Sequence, residues 1–100
     1  MRLSPIEAAR TRHGLAGVAS RSAITLPCVR GSVTVRCPFP SHGHFDSSPS
    51  LRLFLDDGIF YCFGCGVRGD VVEWVCQSEG VSWRQAIALL DAGNPLTNAW

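Results

Sequence analysis

The stretch "LRLFLDDGIFYCFGCG", residues 51–66, alternates Leu51, Leu53 and Leu55 with Arg52 and Phe54, then passes through Asp57-Gly58 into "IFYCF". A period of two places the leucines on one face of a half-buried strand and Arg52 and Phe54 on the other. An Asp-Gly step between two β runs predicts a hairpin, because both positions of the tightest turns need positive φ. The hairpin runs into Cys62-Phe63-Gly64-Cys65-Gly66. Two cysteines separated by two residues can grip one metal ion, and the glycines free the backbone so that amide N–H groups can point at sulfur.

Upstream, "CPFPSHGHFDSSPSL", residues 37–51, holds Cys37, His42 and His44. Zinc takes four ligands in a tetrahedron, drawn from thiolate and imidazole. Cys37 and one histidine would form the second grip, brought alongside the first by strand pairing. The pattern is Cys-x4-His-x19-Cys-x2-Cys through His42, or Cys-x6-His-x17-Cys-x2-Cys through His44. Spacing alone leaves both open. A redox Cys-x2-Cys ordinarily opens a helix after a strand in a βαβ unit. Here the pair ends a hairpin, so a thiol oxidoreductase is the last of the alternatives. Cys28, in an apolar run, and Cys76, on the apolar face of a helix, read as small buried hydrophobes. His13 reads as a surface or boundary residue.

Outside this centre, "SPIE" at residues 4–7 is a helix start, with Ser4 as cap, Pro5 in the first turn and Glu7 at the capping-box position. Gly14 is expected to end that helix, and residues 15–22 carry no clear assignment. "ITLPCV" and "VTVRC" read as strands on either side of a turn at Arg30-Gly31-Ser32. Two helices close the chain. One is capped by Asp70 with Glu73 three residues on; the other is capped by Ser82 with Gln85 three residues on and stops at Gly93. Trp83, Ile87 and Leu90 share a stripe, and the valines around Trp74 share a broad face, which predicts packing against the sheet.

A length of 100 residues suits one domain. A core of that size gains from a metal staple. With 46% hydrophobic residues, wholesale disorder is not expected. No apolar run is long enough to span a bilayer and no secretion signal opens the chain, so a cytoplasmic setting with reduced cysteines is expected and no membrane contact. The net charge is only +1, but it is unevenly spread: residues 1–36 carry six arginines against Glu7, and residues 37–100 carry three arginines against seven carboxylates. A basic front half suits phosphate backbones.

"RCPFPSHGHFDSSPSLRLF", "FYCFGCGVRGDVVEWV" and "EGVSWRQAIALL" together resemble the zinc-binding domain (Cys-His-Cys-Cys zinc finger) of bacterial-type and phage-type DNA primases, from about Gly31 to Leu90. The resemblance rests on Pro38, Ser48-Pro49-Ser50, Phe63-Gly64 and Gly69-Asp70 as well as the ligands. It implies a small α+β zinc ribbon: an antiparallel β-sheet with zinc knuckles at one end and flanking α-helices. It also implies one structural Zn2+ held by Cys37, a histidine, Cys62 and Cys65. The usual family spacing is Cys-x2-His, whereas Pro40 stands at that position here. Counting back from Ser48-Pro49-Ser50 selects His44; the Cys-Pro-x-Pro-x-His form of some members selects His42. The reading takes His42, with His44 as the alternative fourth ligand. On this layout residues 1–23 are an N-terminal helix and linker, and residues 24–93 the zinc-binding domain. Within the latter, the ribbon spans 31–69 and two C-terminal helices span 70–93; a tail follows at 94–100.

The resemblance further implies contact with single-stranded DNA template and support of primer-site selection in DNA replication. Four saturated ligand positions leave none for a reacting water, so the zinc is expected to be structural. The family's magnesium-binding polymerase domain is not among these residues, and Asp56-Asp57, in a turn, does not replace it. The chain is therefore expected not to be an enzyme. Arg36, Arg52 and Arg68 for phosphates, with Phe54 and Tyr61 for base stacking, are the DNA-binding candidates. A zinc-ribbon adaptor that binds a separate primase catalytic subunit, a replicative helicase or another replication protein is the alternative.

Overall fold

The computed structural model describes residues 4–22, 24, 26–28, 30–37, 39 and 49–93. Among the described residues four short strands pair as an antiparallel meander in chain order: β1 (Ser32–Val35), β2 (Leu51–Phe54), β3 (Ile59–Cys62) and β4 (Arg68–Gly69). The register sets Val33 opposite Leu53 and Val35 opposite Leu51. It also sets Leu53 opposite Phe60 and Leu51 opposite Cys62. Pleating sends these residues to one face. Val33, Leu51, Leu53, Phe60 and Cys62 are all buried there.

The Asp-Gly hairpin forms, but with a longer turn than two residues. Phe54 pairs with Ile59, which leaves residues 55–58 as the loop. The Phe54 carbonyl accepts from the N–H groups of Asp57 (3.2 Å) and Gly58 (2.9 Å), and Gly58 takes φ 71°. A turn closed by a glycine in the left-handed region needs no strained side chain.

Helices fill the other side of the core. α1 (Pro5–Arg12) starts as expected, the Glu7 N–H donating to Ser4 Oγ at 3.1 Å. Gly14, expected only to stop α1, is the N-cap of a second helix, α2 (Leu15–Arg21), whose Leu15, Val18 and Ala19 are buried. α3 (Val71–Glu79) is capped by Asp70, whose carboxylate accepts from Val72 and Glu73, and it stops at Gly80 in the left-handed conformation. α4 (Trp83–Ala92) carries a full Ser82–Gln85 capping box and stops at Gly93. No helix among the described residues is long and apolar enough to cross a membrane.

Three local expectations are corrected. No strand forms among the described residues of 24–28: Pro27 has no N–H to give a ladder, and the Ile24 N–H instead reaches the Ala19 carbonyl at the end of α2 (3.2 Å). Cys28 is consequently exposed rather than buried, its thiol against the Arg30 carbonyl at 3.2 Å. Trp83 remains 38% exposed, with the Arg84 guanidinium 5.1 Å from its ring centre. It is the first residue of α4, and helical side chains lean toward the N-terminus, past the core that Ala86 and Leu90 fill.

Contacts between distant segments close the helical layer. Arg21 donates to the Leu89 carbonyl (2.9 Å) and the Leu90 carbonyl (3.2 Å) near the end of α4. Asp91 receives both Arg12 (3.1 Å) and His13 Nε2 (2.8 Å). His13, then Arg12, hold the Asp91 carboxyl below its ordinary range.

At the join of sheet and helix, Gly69 has φ 151°, and a Cβ there would collide with the Glu73 side chain in the first turn of α3. Gly69→Ala is expected to cost about 1–3 kcal/mol, as overpacking does. That corresponds to a fall in Tm of roughly 4–8 °C per kcal/mol; an unchanged Tm would contradict the close approach. Asp91 supplies a second test. A depressed carboxyl stabilises the fold above the ordinary carboxylate pKa, and that stability disappears as pH falls through the lower folded value. Melting curves of wild type and Asp91→Asn should therefore differ near neutrality and converge in acid. Parallel curves at every pH would show that the contact does not stabilise the fold.

Candidate functional site

The knuckle after β3 is built by its own backbone. The Cys62 N–H donates to the Val67 carbonyl (2.8 Å), the Gly66 N–H donates to the Cys62 carbonyl (2.9 Å), and Gly66 takes φ 81°. The turn is anchored to the strand beside it, because the Phe63 N–H donates to the Ser50 carbonyl at 2.8 Å. The Cys65 N–H points at Cys62 Sγ (3.5 Å), and Ser50 Oγ lies 3.4 Å from the same sulfur. Cys37 follows β1 and is buried. β2 pairs with both β1 and β3, so the ends of its two neighbours come to the same edge of the sheet.

There the sulfurs of Cys37, Cys62 and Cys65 lie within 4.8 Å of one another. The Cys37 and Cys65 sulfurs are 3.8 Å apart. A zinc tetrahedron with Zn–S of about 2.3 Å sets sulfurs about 3.8 Å apart, so the spacing fits that ion. The donor set fits as well: soft sulfur suits zinc and does not suit magnesium or calcium. The electrostatics differ between the sulfurs. Burial pushes the Cys37 thiol up, with Cys62 and Cys65 adding to it against the Phe39 amide. Burial alone would also raise Cys62, yet the Ser50 hydroxyl and the amides of Cys65 and Gly64 bring it down to about 6. The surroundings of Cys62 thus favour the thiolate that a metal needs, and burial opposes it at Cys37. His42 and His44 lie outside the described residues. Cys76 is half-buried in α3, its thiol raised by burial and by Glu73 and Asp70.

The opposite face of the sheet is open. Thr34 pairs with Arg52, Arg52 with Tyr61, and Tyr61 with Arg68. This row crosses all four strands on the face away from the core. Phe54 sits in the next row, opposite Ile59, with the Arg52 guanidinium 5.7 Å from its ring centre. Arg36 is exposed one residue past β1, beside Cys37, and outside the paired rows. Phe63, which the sequence marked only as part of the knuckle motif and not as a DNA-binding candidate, joins this face. It is 69% exposed, and its ring meets Tyr61 edge-on at 4.8 Å. The signal was present, since Phe63 continues the alternation of Ile59 and Tyr61. An open groove of about 660 Å³ runs over this surface, lined by Phe54, Ile59, Phe60, Tyr61, Phe63, Arg68 and Gly69.

The chain is similar to proteins of one known family. The family described as CHC2 zinc finger matches residues 4–97. A DNA primase of Thermotoga maritima is 34% identical over 67 residues, covering 67% of this chain and 11% of that protein. A DNA primase of Mycobacterium bovis is 43% identical over 54 residues, covering 54% of this chain and 8% of that protein. The crystal structure of the Aquifex aeolicus primase, comprising its zinc binding and RNA polymerase domains, superposes with a TM-score of 0.73 at 32% identity. That match covers 91% of this chain and 21% of the Aquifex chain. The chain spans about a tenth of the length of the curated relatives it matches. The match and the thiol cluster agree on one structural zinc. A sheet with three converging thiols at its edge and a family match over nearly its whole length place this chain in the CHC2 zinc finger family of DNA primases.

Proposed function

We propose that the chain is the template-contacting module of a primase system. The open face of the zinc-clamped sheet binds single-stranded DNA and helps set where a primer begins. Catalysis is carried by another domain or subunit. The observation that supports this most is the cross-strand row Arg52–Tyr61–Arg68 with Phe63 beside it. Single strands are held by cations along the phosphate track and by aromatic faces under the bases, and this surface offers both. Arg36 would extend the track at the zinc end, and Phe54 would add a ring on the far side of Arg52. Asp56 and Asp57 lie in the β2–β3 loop, and among the described residues the cluster able to gather a metal is the thiol triad. The reading therefore gives these residues no part in primer chemistry. A separate catalytic subunit or replicative helicase is the protein partner it calls for.

In this reading zinc is held by Cys37, His42, Cys62 and Cys65, with His44 as the alternative to His42. The protein purified under reducing conditions should contain one zinc per chain by elemental analysis, and Cys62→Ser or Cys65→Ser should abolish it. His42→Ala should lose zinc while His44→Ala keeps it; the reverse would move the ligand to His44. For DNA, Arg52→Ala with Arg68→Ala should weaken binding of a single-stranded oligonucleotide. It should also flatten the salt dependence by a slope of about 0.7 for each phosphate that the arginines no longer neutralise. Equal affinity and slope in the double variant would remove DNA from this face.

A further inference from the structure

Ser50 precedes β2 and touches the second knuckle twice. Its carbonyl accepts the Phe63 N–H at 2.8 Å, and its hydroxyl oxygen lies 3.4 Å from Cys62 Sγ. The approach of the Cys65 N–H to the same sulfur, at 3.5 Å, comes from within the knuckle. The Ser50 hydroxyl instead reaches across from outside the turn. Once Cys62 is a thiolate it can only accept, so the hydroxyl is the donor. The backbone hydrogen bond survives any side chain at this position, and the hydroxyl bond does not. The two roles can therefore be separated by substitution.

We propose that Ser50 is a positioning residue for the zinc. Its O–H donates to the metal-bound Cys62 thiolate, orients that sulfur, and draws off part of its charge. Groups that hydrogen-bond to metal ligands commonly change metal affinity by roughly 10–100-fold. A single O–H···S bond belongs at the lower end. The proposal rests on Cys62 being a zinc ligand, and the experiment distinguishes failure of that reading from failure of this one.

Zinc affinity of the full chain is measured by competition with a chromophoric chelator for wild type, Ser50→Ala, Ser50→Thr, Ser50→Val and Cys62→Ser. Ser50→Ala is expected to bind about tenfold more weakly, with Ser50→Thr close to wild type. Thr and Val have nearly the same shape with and without the hydroxyl, so that pair decides the matter if Ser50→Ala does not fold. Cobalt substitution supplies a readout that loose packing would not move. Removing the donor raises the sulfur lone pairs in energy, so the thiolate-to-cobalt charge-transfer bands of the Ala and Val variants should move to longer wavelength and those of Thr should stay. Wild-type affinity and band positions in Ser50→Ala, or identical Thr and Val variants, would overturn the role of Ser50. Full zinc binding by Cys62→Ser would instead overturn the ligand assignment beneath it.

Discussion

Three sulfurs drawn within 4.8 Å of one another at the ends of β1 and β3 are the constraint to which the rest of the structure is tied. Cys37 is buried, which opposes its ionisation, while Cys62 is supplied with donors that favour it. A zinc ion held by these sulfurs would satisfy both and would join the chain after β1 to the end of β3 and its knuckle. The consequence reaches inward. Phe39, two residues past Cys37, packs against Phe60 at 5.3 Å and edge-on to Trp74 at 4.8 Å, and Phe60 meets Trp74 edge-on at 5.2 Å. Trp74 in turn donates its indole N–H to Ser22 Oγ at 2.9 Å. A path of direct contacts therefore runs from the metal edge through an aromatic cluster to α3 and the end of α2.

The same clamp leaves the sheet with two unlike faces. Leucines and Phe60 turn inward to the helices; Arg52, Tyr61 and Arg68 turn outward in one row. Strand alternation makes this division, and the knuckle extends it by carrying Phe63 onto the outer surface. The half-buried rings of Phe54 and Tyr61 and the exposed ring of Phe63, next to arginine side chains, form a surface that is apolar in its middle and cationic along its length. Such a surface suits a flexible polyanion with stackable bases better than it suits a duplex, whose bases are already stacked.

Legibility in the sequence followed the strength of the local physics. Caps at Ser4, Asp70 and Ser82 use short-range hydrogen bonds, and each was readable from a few letters. The alternation of residues 51–55 placed Arg52 on the open face, because side-chain direction in a strand depends only on parity. Thiol convergence was legible from spacing, since a hairpin between two grips returns the chain to its start. What was not legible depended on tertiary contact. α2 has no side-chain cap and is held by burial of Leu15, Val18 and Ala19. The run at 24–29 looked apolar enough for a strand, yet none forms among its described residues, where Pro27 lacks the N–H that a ladder needs. Trp83 matched the core stripe by period, but its place at the first position of α4 leaves it partly in solvent.

The most direct test of the account is residue-resolved mapping of the zinc-loaded protein with a short single-stranded oligonucleotide by 15N–1H chemical-shift perturbation. The account predicts changes concentrated at Arg52, Phe54, Tyr61, Phe63 and Arg68, with α3 and α4 little affected. Changes confined to the helical side, or none at saturating oligonucleotide, would contradict the assignment of the open sheet face as the template surface.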